Sequence, residues 1–178
     1  MAGAFEFMSA KLKTEGEREP LTDKRGTQNM AGDLRIAVIG QAAFGEKVLD
    51  ALMDKGENVV GVFCSPDVEG RPADPIKQAA EKHDIPVFQF PRMRRKVAIN
   101  AFLELNSDLC VMAFVTDIVP DAILEAPTKG TIQYHPSLLP KHRGPSSINW
   151  PIVEGEEKTG LTIFWPDAGL DTGPVLLQ

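Results

Sequence analysis

Short continuous apolar runs alternate along this chain with longer stretches whose apolar residues recur at helical spacing. Residues 36–40 are apolar throughout and end in glycine, which predicts a buried strand. Phe44, Val48, Leu49 and Leu52 then fall on one helical face over 44–55. Residues 58–64 predict a second strand, and 74–83 a helix with Pro75 in its first turn. A short third strand at 85–88 and a helix at 96–106 follow. Residues 109–114 predict a fourth strand, unbroken in apolar character and therefore covered on both faces. A brief helix at 120–124, a fifth strand at 131–134 and a helix over 146–153 continue the pattern. Residues 161–165 and 174–178 read as a late antiparallel pair. Strand and helix in regular order predict an α/β fold, a Rossmann-like, doubly wound and mostly parallel sheet. Such sheets bind ligands beyond the carboxyl ends of their strands. Gly40, the segment from Val115 to Asp117, and His135 all fall at such ends.

The first 34 residues do not share this pattern. Residues 11–33 are polar, of mixed charge and without an apolar period, so 1–34 read as a disordered or vector-derived tail. The segment before Met8 reads as a cloning scar, and Met30 offers an alternative start. No apolar core of a signal peptide follows a basic start. The catalytic domain is expected over 35–178.

Composition narrows the function classes. A chain of 178 residues with 43% hydrophobic and 25% charged residues is sized for one domain with its own core. No apolar run approaches the ~20 residues of a membrane span. A net charge of −6 argues against a broad nucleic-acid footprint. The basic run 92–96 reads as a solvated helix start. Cys64 and Cys110 sit in strand-like runs and read as buried, reduced thiols of a cytoplasmic protein.

Few residues carry chemistry. The turn Gly40-Gln-Ala-Ala-Phe-Gly45 is not a dinucleotide fingerprint, because Ala42 replaces the glycine that lets backbone approach a pyrophosphate. It reads as a tight strand-to-helix turn, so the fold does not imply a nicotinamide cofactor here. His135 ends a strand, precedes Pro136 and opens a polar loop; an isolated histidine is usually structural, but one so placed can polarise a carbonyl or protonate a departing nitrogen. Asp171 lies between Gly169 and Gly173; it can cap a turn, or orient an imidazole and take a proton from attacking water. His142 and Arg143 read as solvating the loop, with an anionic substrate tail as the other role. Trp150 and Trp165 read as core or cleft wall, and His83 as helix surface. No HxxxH, CxxC or carboxylate cluster has metal spacing.

Several blocks together resemble the formyltransferase family that uses 10-formyltetrahydrofolate. They are residues 36–45, 60–63 with Ala73-Asp-Pro75, Tyr134-His-Pro-Ser-Leu-Leu-Pro140 with His142-Arg-Gly144 and Ile148-Asn-Trp150, and Ile163-Phe-Trp165 with Gly169-Leu-Asp-Thr-Gly173. Tyr134, the Asn-Trp pair and the Phe-Trp pair favour the hydrolase branch, which forms the amino-terminal domain of 10-formyltetrahydrofolate dehydrogenases. The resemblance implies His135 and Asp171 as the catalytic pair. It implies a folate cleft walled by Phe114, Val115, Thr116, Asp117, Ile118 and Pro120 on one side and by Asp167, Ala168 and Gly169 on the other. The donor would be 10-formyltetrahydrofolate, with no metal and no NADP in this domain.

The chain departs from the family in two ways. Transferases of the family carry Asn two residues before the histidine to hold the formyl oxygen; this chain has Gln133, an amide one methylene further out. The resemblance also implies a small β-barrel domain beyond Gln178, so the carboxyl-terminal part reads as truncated. In the dehydrogenase branch it implies carrier and NADP-dependent aldehyde dehydrogenase domains as partners. Two alternatives stand beside folate-dependent hydrolysis or transfer. One is another branch, acting on methionyl-tRNA or a sugar amine. The other is a folate-binding module without turnover.

Overall fold

A computed structural model of the chain describes residues 33–178. The expectation for residues 1–32 lies outside the described residues. Leu34 packs against the core, so the folded body takes in at least one residue of the expected tail.

Seven strands form one sheet in the order β3-β2-β1-β4-β5-β6-β7. They are β1 (Arg35–Gly40), β2 (Asn58–Cys64), β3 (Val87–Gln89), β4 (Leu109–Ala113), β5 (Thr131–His135), β6 (Thr162–Phe164) and β7 (Val175–Leu177). The first five pair in parallel, and β6 and β7 continue the sheet antiparallel. The doubly wound, mostly parallel sheet expected from the pattern is therefore present, as is the late antiparallel pair.

Alternation along β1 explains why its sequence is apolar throughout. Ile36 and Val38 enter one core with Leu49 and Leu52 of α1 (Ala42–Asp54) and Ile76 of α2 (Pro75–Lys82). Ala37 and Ile39 enter the other with Phe102 of α3 (Lys96–Glu104) and Ile123 of α4 (Asp121–Leu124). A strand with helices on both faces has no side left for water. Phe63 is fully buried between Phe88 and Phe102, with ring centroids 4.8 and 5.4 Å away. Burial of one such ring contributes about 1.5–3 kcal/mol.

Three expected elements shift. The third strand begins two residues late, because the Ile85 N–H still donates to the Ala80 carbonyl at the end of α2. The last helix, α5, spans Asn149–Val153 rather than starting at 146. Ser146 has φ 63°, a left-handed conformation that cannot propagate a right-handed helix. Trp150 is half exposed rather than core, whereas Trp165 packs against the first core.

At the switch point between β1 and β4 the turn into α1 is as tight as expected. Ala42 takes φ 58°, the conformation a glycine would hold more easily. Its N–H donates to Asp74 Oδ1 at 2.8 Å, and the same oxygen accepts the Ile76 N–H that caps α2. An aspartate thus takes the backbone donor that a phosphate would use in a dinucleotide fold.

Candidate active site

β5 delivers His135 to the carboxyl edge of the sheet, where the ring is 7% exposed. The loop after it is anchored from below by two buried hydroxyls. Thr162 Oγ1 donates to the Ser137 carbonyl at 2.7 Å and accepts from Leu139 N at 3.1 Å. Ser137 Oγ donates to the Lys141 carbonyl at 2.6 Å. Leu139–Pro140 is cis. The chain then reverses through His142 and Gly144, both at positive φ.

That reversal aims three consecutive backbone or side-chain groups at the site. Nε2 of His135 lies 2.8 Å from the His142 carbonyl, so this nitrogen carries a proton and donates it. Arg143 Nε donates to the Asp171 carbonyl at 2.9 Å. Gly144 N donates to Asp171 Oδ2 at 2.8 Å.

The loop between β6 and β7 brings Asp171 in from the other side. Trp165 N donates to the Pro174 carbonyl at 2.9 Å, closing the base of this loop. A side chain at Gly173 would place its Cβ 1.7 Å from the Trp165 carbonyl oxygen, so only glycine fits there. Asp167 Oδ1 accepts from Gly169 N at 2.9 Å and from Thr172 Oγ1 at 2.5 Å. Those bonds hold the Asp167 carboxyl below the usual carboxylate range, the threonine hydroxyl most of all. Asp171 itself sits at φ 51°, which aspartate tolerates better than most residues. Its side chain is 8% exposed, with Oδ2 3.4 Å from His135 Nδ1.

At 3.4 Å the imidazole and carboxylate face each other without a committed hydrogen bond. A polar group lying beside the pair can hydrogen-bond to both. With Nε2 fixed by a carbonyl, Nδ1 is the ring position open to proton exchange with a neighbour. The pair can hold a proton donor and a proton acceptor side by side in a site largely closed to water.

Gln133 lies two residues before His135 on β5, on the same face of the strand and half-buried, with Met112 and Phe164 as its ladder partners. The other face carries Tyr134, which stacks on Phe44 of α1 at 4.2 Å.

The remaining predicted residues divide. Phe114, Val115, Thr116 and Asp117 line an open cleft with Gln41 and Ser65, at the carboxyl ends of β1, β2 and β4. Gln41 bridges it: Nε2 donates to Thr116 Oγ1 at 3.2 Å, and Oε1 accepts from Ser65 Oγ at 3.4 Å. Asp117 accepts from Met93 N at 2.7 Å and meets Arg92 at 3.3 Å, which ties the basic run to the cleft. Ile118 is 76% exposed, and Pro120 caps α4. Asp167, Ala168 and Gly169 form an exposed turn near Asp171. Neither that turn nor the His135–Asp171 pair lines the cleft. The two features share the carboxyl edge of the sheet.

His142 and Arg143 depart from the solvating role expected of them. The His142 side chain is 10% exposed, and Arg143 reaches back to Asp171. Sequence reading passed over Gly144 as a donor because a backbone N–H has no signature in composition. The glycine itself, in a loop that must turn sharply, was the available signal. Among the described residues, His142, Glu154 and Glu156 bring their ligand atoms within 4.8 Å of one another, a grouping that no sequence spacing marks.

Residues 34–178 match the sequence profile of the family described as Formyl transferase. The chain is 47% identical over 150 residues to mouse mitochondrial 10-formyltetrahydrofolate dehydrogenase, a match covering 82% of this chain and 16% of that protein. Human cytosolic 10-formyltetrahydrofolate dehydrogenase gives the same identity and coverage. Methionyl-tRNA formyltransferase of Trichlorobacter lovleyi is 43% identical over 149 residues, covering 81% of this chain and 47% of the relative. The chain thus spans about a sixth of the dehydrogenases' length. Among solved structures, phosphoribosylglycinamide formyltransferase from Bacillus halodurans superposes with a TM-score of 0.69 at 24% identity, covering 81% of this chain and 77% of the other. That likeness supports the fold. No helix among the described residues is long and apolar enough to cross a membrane.

Proposed function

Because the chain belongs to the formyl transferase family, we propose that it moves the formyl group of 10-formyltetrahydrofolate to water, or to an amine or thiol acceptor, in one-carbon metabolism. The observation that carries this reading is the buried face-to-face pair of His135 and Asp171. Asp171 takes a proton from the attacking nucleophile as its oxygen bonds to the formyl carbon. The carbonyl electrons move to the formyl oxygen, which the Nδ1–H of a doubly protonated His135 ring and the Gln133 amide stabilise. Collapse of this intermediate re-forms the carbonyl and breaks the bond to N10, which takes the proton that Asp171 received. With water as nucleophile, the products are formate and tetrahydrofolate.

In this reading the folate lies along 114–120 and against 167–169, with its formyl group between them at His135. The steps are an acyl transfer with proton transfers, in which no electrons pass to or from NADP and no metal is called on. Carrier and aldehyde dehydrogenase domains, where such a chain is joined to them, would take the formyl group onward. The cytoplasm is the compartment proposed, as for the cytosolic dehydrogenases. The reading involves no membrane or nucleic-acid partner.

The test is formate release from 10-formyltetrahydrofolate by the parent chain, His135→Asn and Asp171→Asn. Each substitution is expected to lower kcat about 10²–10³-fold. Equal rates in all three would remove both residues from the chemistry. Gln133 favours one second reading, a folate-binding module, since its amide stands where the family's transferases have Asn. Calorimetric binding of a folate analogue with no turnover by the parent chain would select that reading instead.

A further inference from the structure

We propose that His142, Glu154 and Glu156 form a binding site for a zinc-type divalent cation, separate from the formyl-handling pair. Their ligand atoms lie within 4.8 Å of one another. Acidic side chains alone would not argue for a cation. The histidine does: its Nε2 is buried and makes no hydrogen bond. Its polar neighbour is Glu156 Oε2, an ion-pair contact at 3.2 Å that lacks the direction of a hydrogen bond. A buried polar atom normally has a partner, and each exception calls for an explanation.

The distances suit a metal. Zinc binds imidazole nitrogen and carboxylate oxygen at about 2.0–2.2 Å, which puts neighbouring donors of a tetrahedron about 3.3–3.5 Å apart. The 3.2 Å between His142 and Glu156 is already near that edge. Only Glu154 must close in. It is exposed, caps the end of α5, and precedes Gly155 at φ 69°, so its side chain is free to turn. Lys141 Nζ holds the other oxygen of Glu156, Oε1, at 2.7 Å. That ammonium opposes a cation, but it also fixes the carboxylate with Oε2 directed at the histidine, as outer partners of metal ligands do. Two carboxylates outweigh one ammonium. A site with an imidazole selects zinc-class metals over magnesium or calcium, and leaves the fourth position to water.

Occupancy would tie the 142–144 reversal to the turn after α5. His142 is the residue whose carbonyl holds His135. The cation would therefore stiffen the loop under the catalytic histidine without touching substrate. The proposal stands whether or not the chain turns over formyl groups.

The experiment titrates Zn²⁺ alone into the chelator-stripped chain by calorimetry, with the thermal midpoint as a second readout. One Zn²⁺ per chain and a raised midpoint are expected. Glu154→Gln, an exposed position that leaves folding intact, is expected to weaken binding at least about tenfold. His142→Asn should do the same. His83→Asn is the control for binding at the histidine beside Asp50 and should leave affinity unchanged. Absence of binding, equal binding by Glu154→Gln, or loss of binding in His83→Asn would overturn the assignment.

Discussion

Nε2 of His135 donates to the carbonyl of His142 at 2.8 Å, and two residues further on Gly144 N–H reaches Asp171 Oδ2 at the same distance. One tripeptide thus holds both members of the pair. Backbone groups cannot change rotamer, so the ring and the carboxylate are oriented by the fold rather than by each other. At 3.4 Å neither is committed to the other, so a third group beside them can bond to both. It also means that loops on either side set the geometry, and substitutions in those loops should be felt at the site.

Thr172→Val tests the loop that carries Asp171. Thr172 supplies the strongest of the bonds that depress the Asp167 carboxyl. A depressed carboxyl contributes stability that is present above its unfolded value, about 3.9, and is lost as pH falls through the folded value. The turn is therefore tied at neutral pH and released in acid. In Thr172→Val the Asp167 titration should move up toward the ordinary carboxylate value, followed by its side-chain carbon shift in NMR, while kcat falls severalfold at pH 7. An unmoved titration would mean that the hydroxyl does not hold the turn.

Gly173→Ala tests the base of the same loop. A Cβ there would lie 1.7 Å from the backbone oxygen of Trp165, and that oxygen cannot rotate away. The expected loss is about 3 kcal/mol, at the upper end for overpacking. For a domain of this size that is a fall of roughly 6–12 °C in Tm. Thermal unfolding by circular dichroism checks it, and a midpoint within one or two degrees of the parent would contradict the geometry.

The sheet was legible in the sequence because its signal is local. A strand covered on both faces must be apolar at every position, and 36–40 and 109–113 are. His135 and Asp171 were legible because bent backbone surrounds each, and because they sit in blocks of the family pattern. What escaped was carried by the backbone or by approach in space. The Gly144 N–H and the His142 carbonyl have no residue-type signature. The buried His142 imidazole could be found only once the loop brought Glu156 beside it. The late start of α5 followed from one residue, Ser146, whose left-handed conformation no apolar period encodes.

The two cysteines should be inert in the folded chain. Burial, with Asp74 adding to it, pushes the Cys64 thiol up to about 11, and burial pushes Cys110 up to about 12. At pH 7 the thiolate fraction of Cys64 is then on the order of one in ten thousand. A chromogenic disulfide reagent should find no fast thiol in the native chain and two after unfolding in denaturant. One thiol reacting within seconds in native buffer would place it outside the core.

In the proposed reaction, Gln133 would decide how much of the oxyanion His135 carries alone. The residue shares the His135 face of β5 and is half-buried, which is the basis for proposing its amide as a donor to the formyl oxygen. A donor that acts only in the transition state lowers kcat and kcat/KM equally when removed. Gln133→Leu keeps a similar volume and loses the donor. It is expected to lower kcat about tenfold, less than the loss for a rigid backbone donor, because a three-torsion side chain is less well organised before reaction. KM should stay within about twofold. Gln133→Asn retracts the amide by one methylene and should keep kcat within about threefold of the parent, since it restores the residue the family's transferases use. Steady-state kinetics on 10-formyltetrahydrofolate separates the outcomes. If Gln133→Leu matches the parent in both constants, the amide does not reach the oxyanion. The proton on His135 Nδ1 would then be the donor there, and its partner Asp171 at 3.4 Å would set the rate.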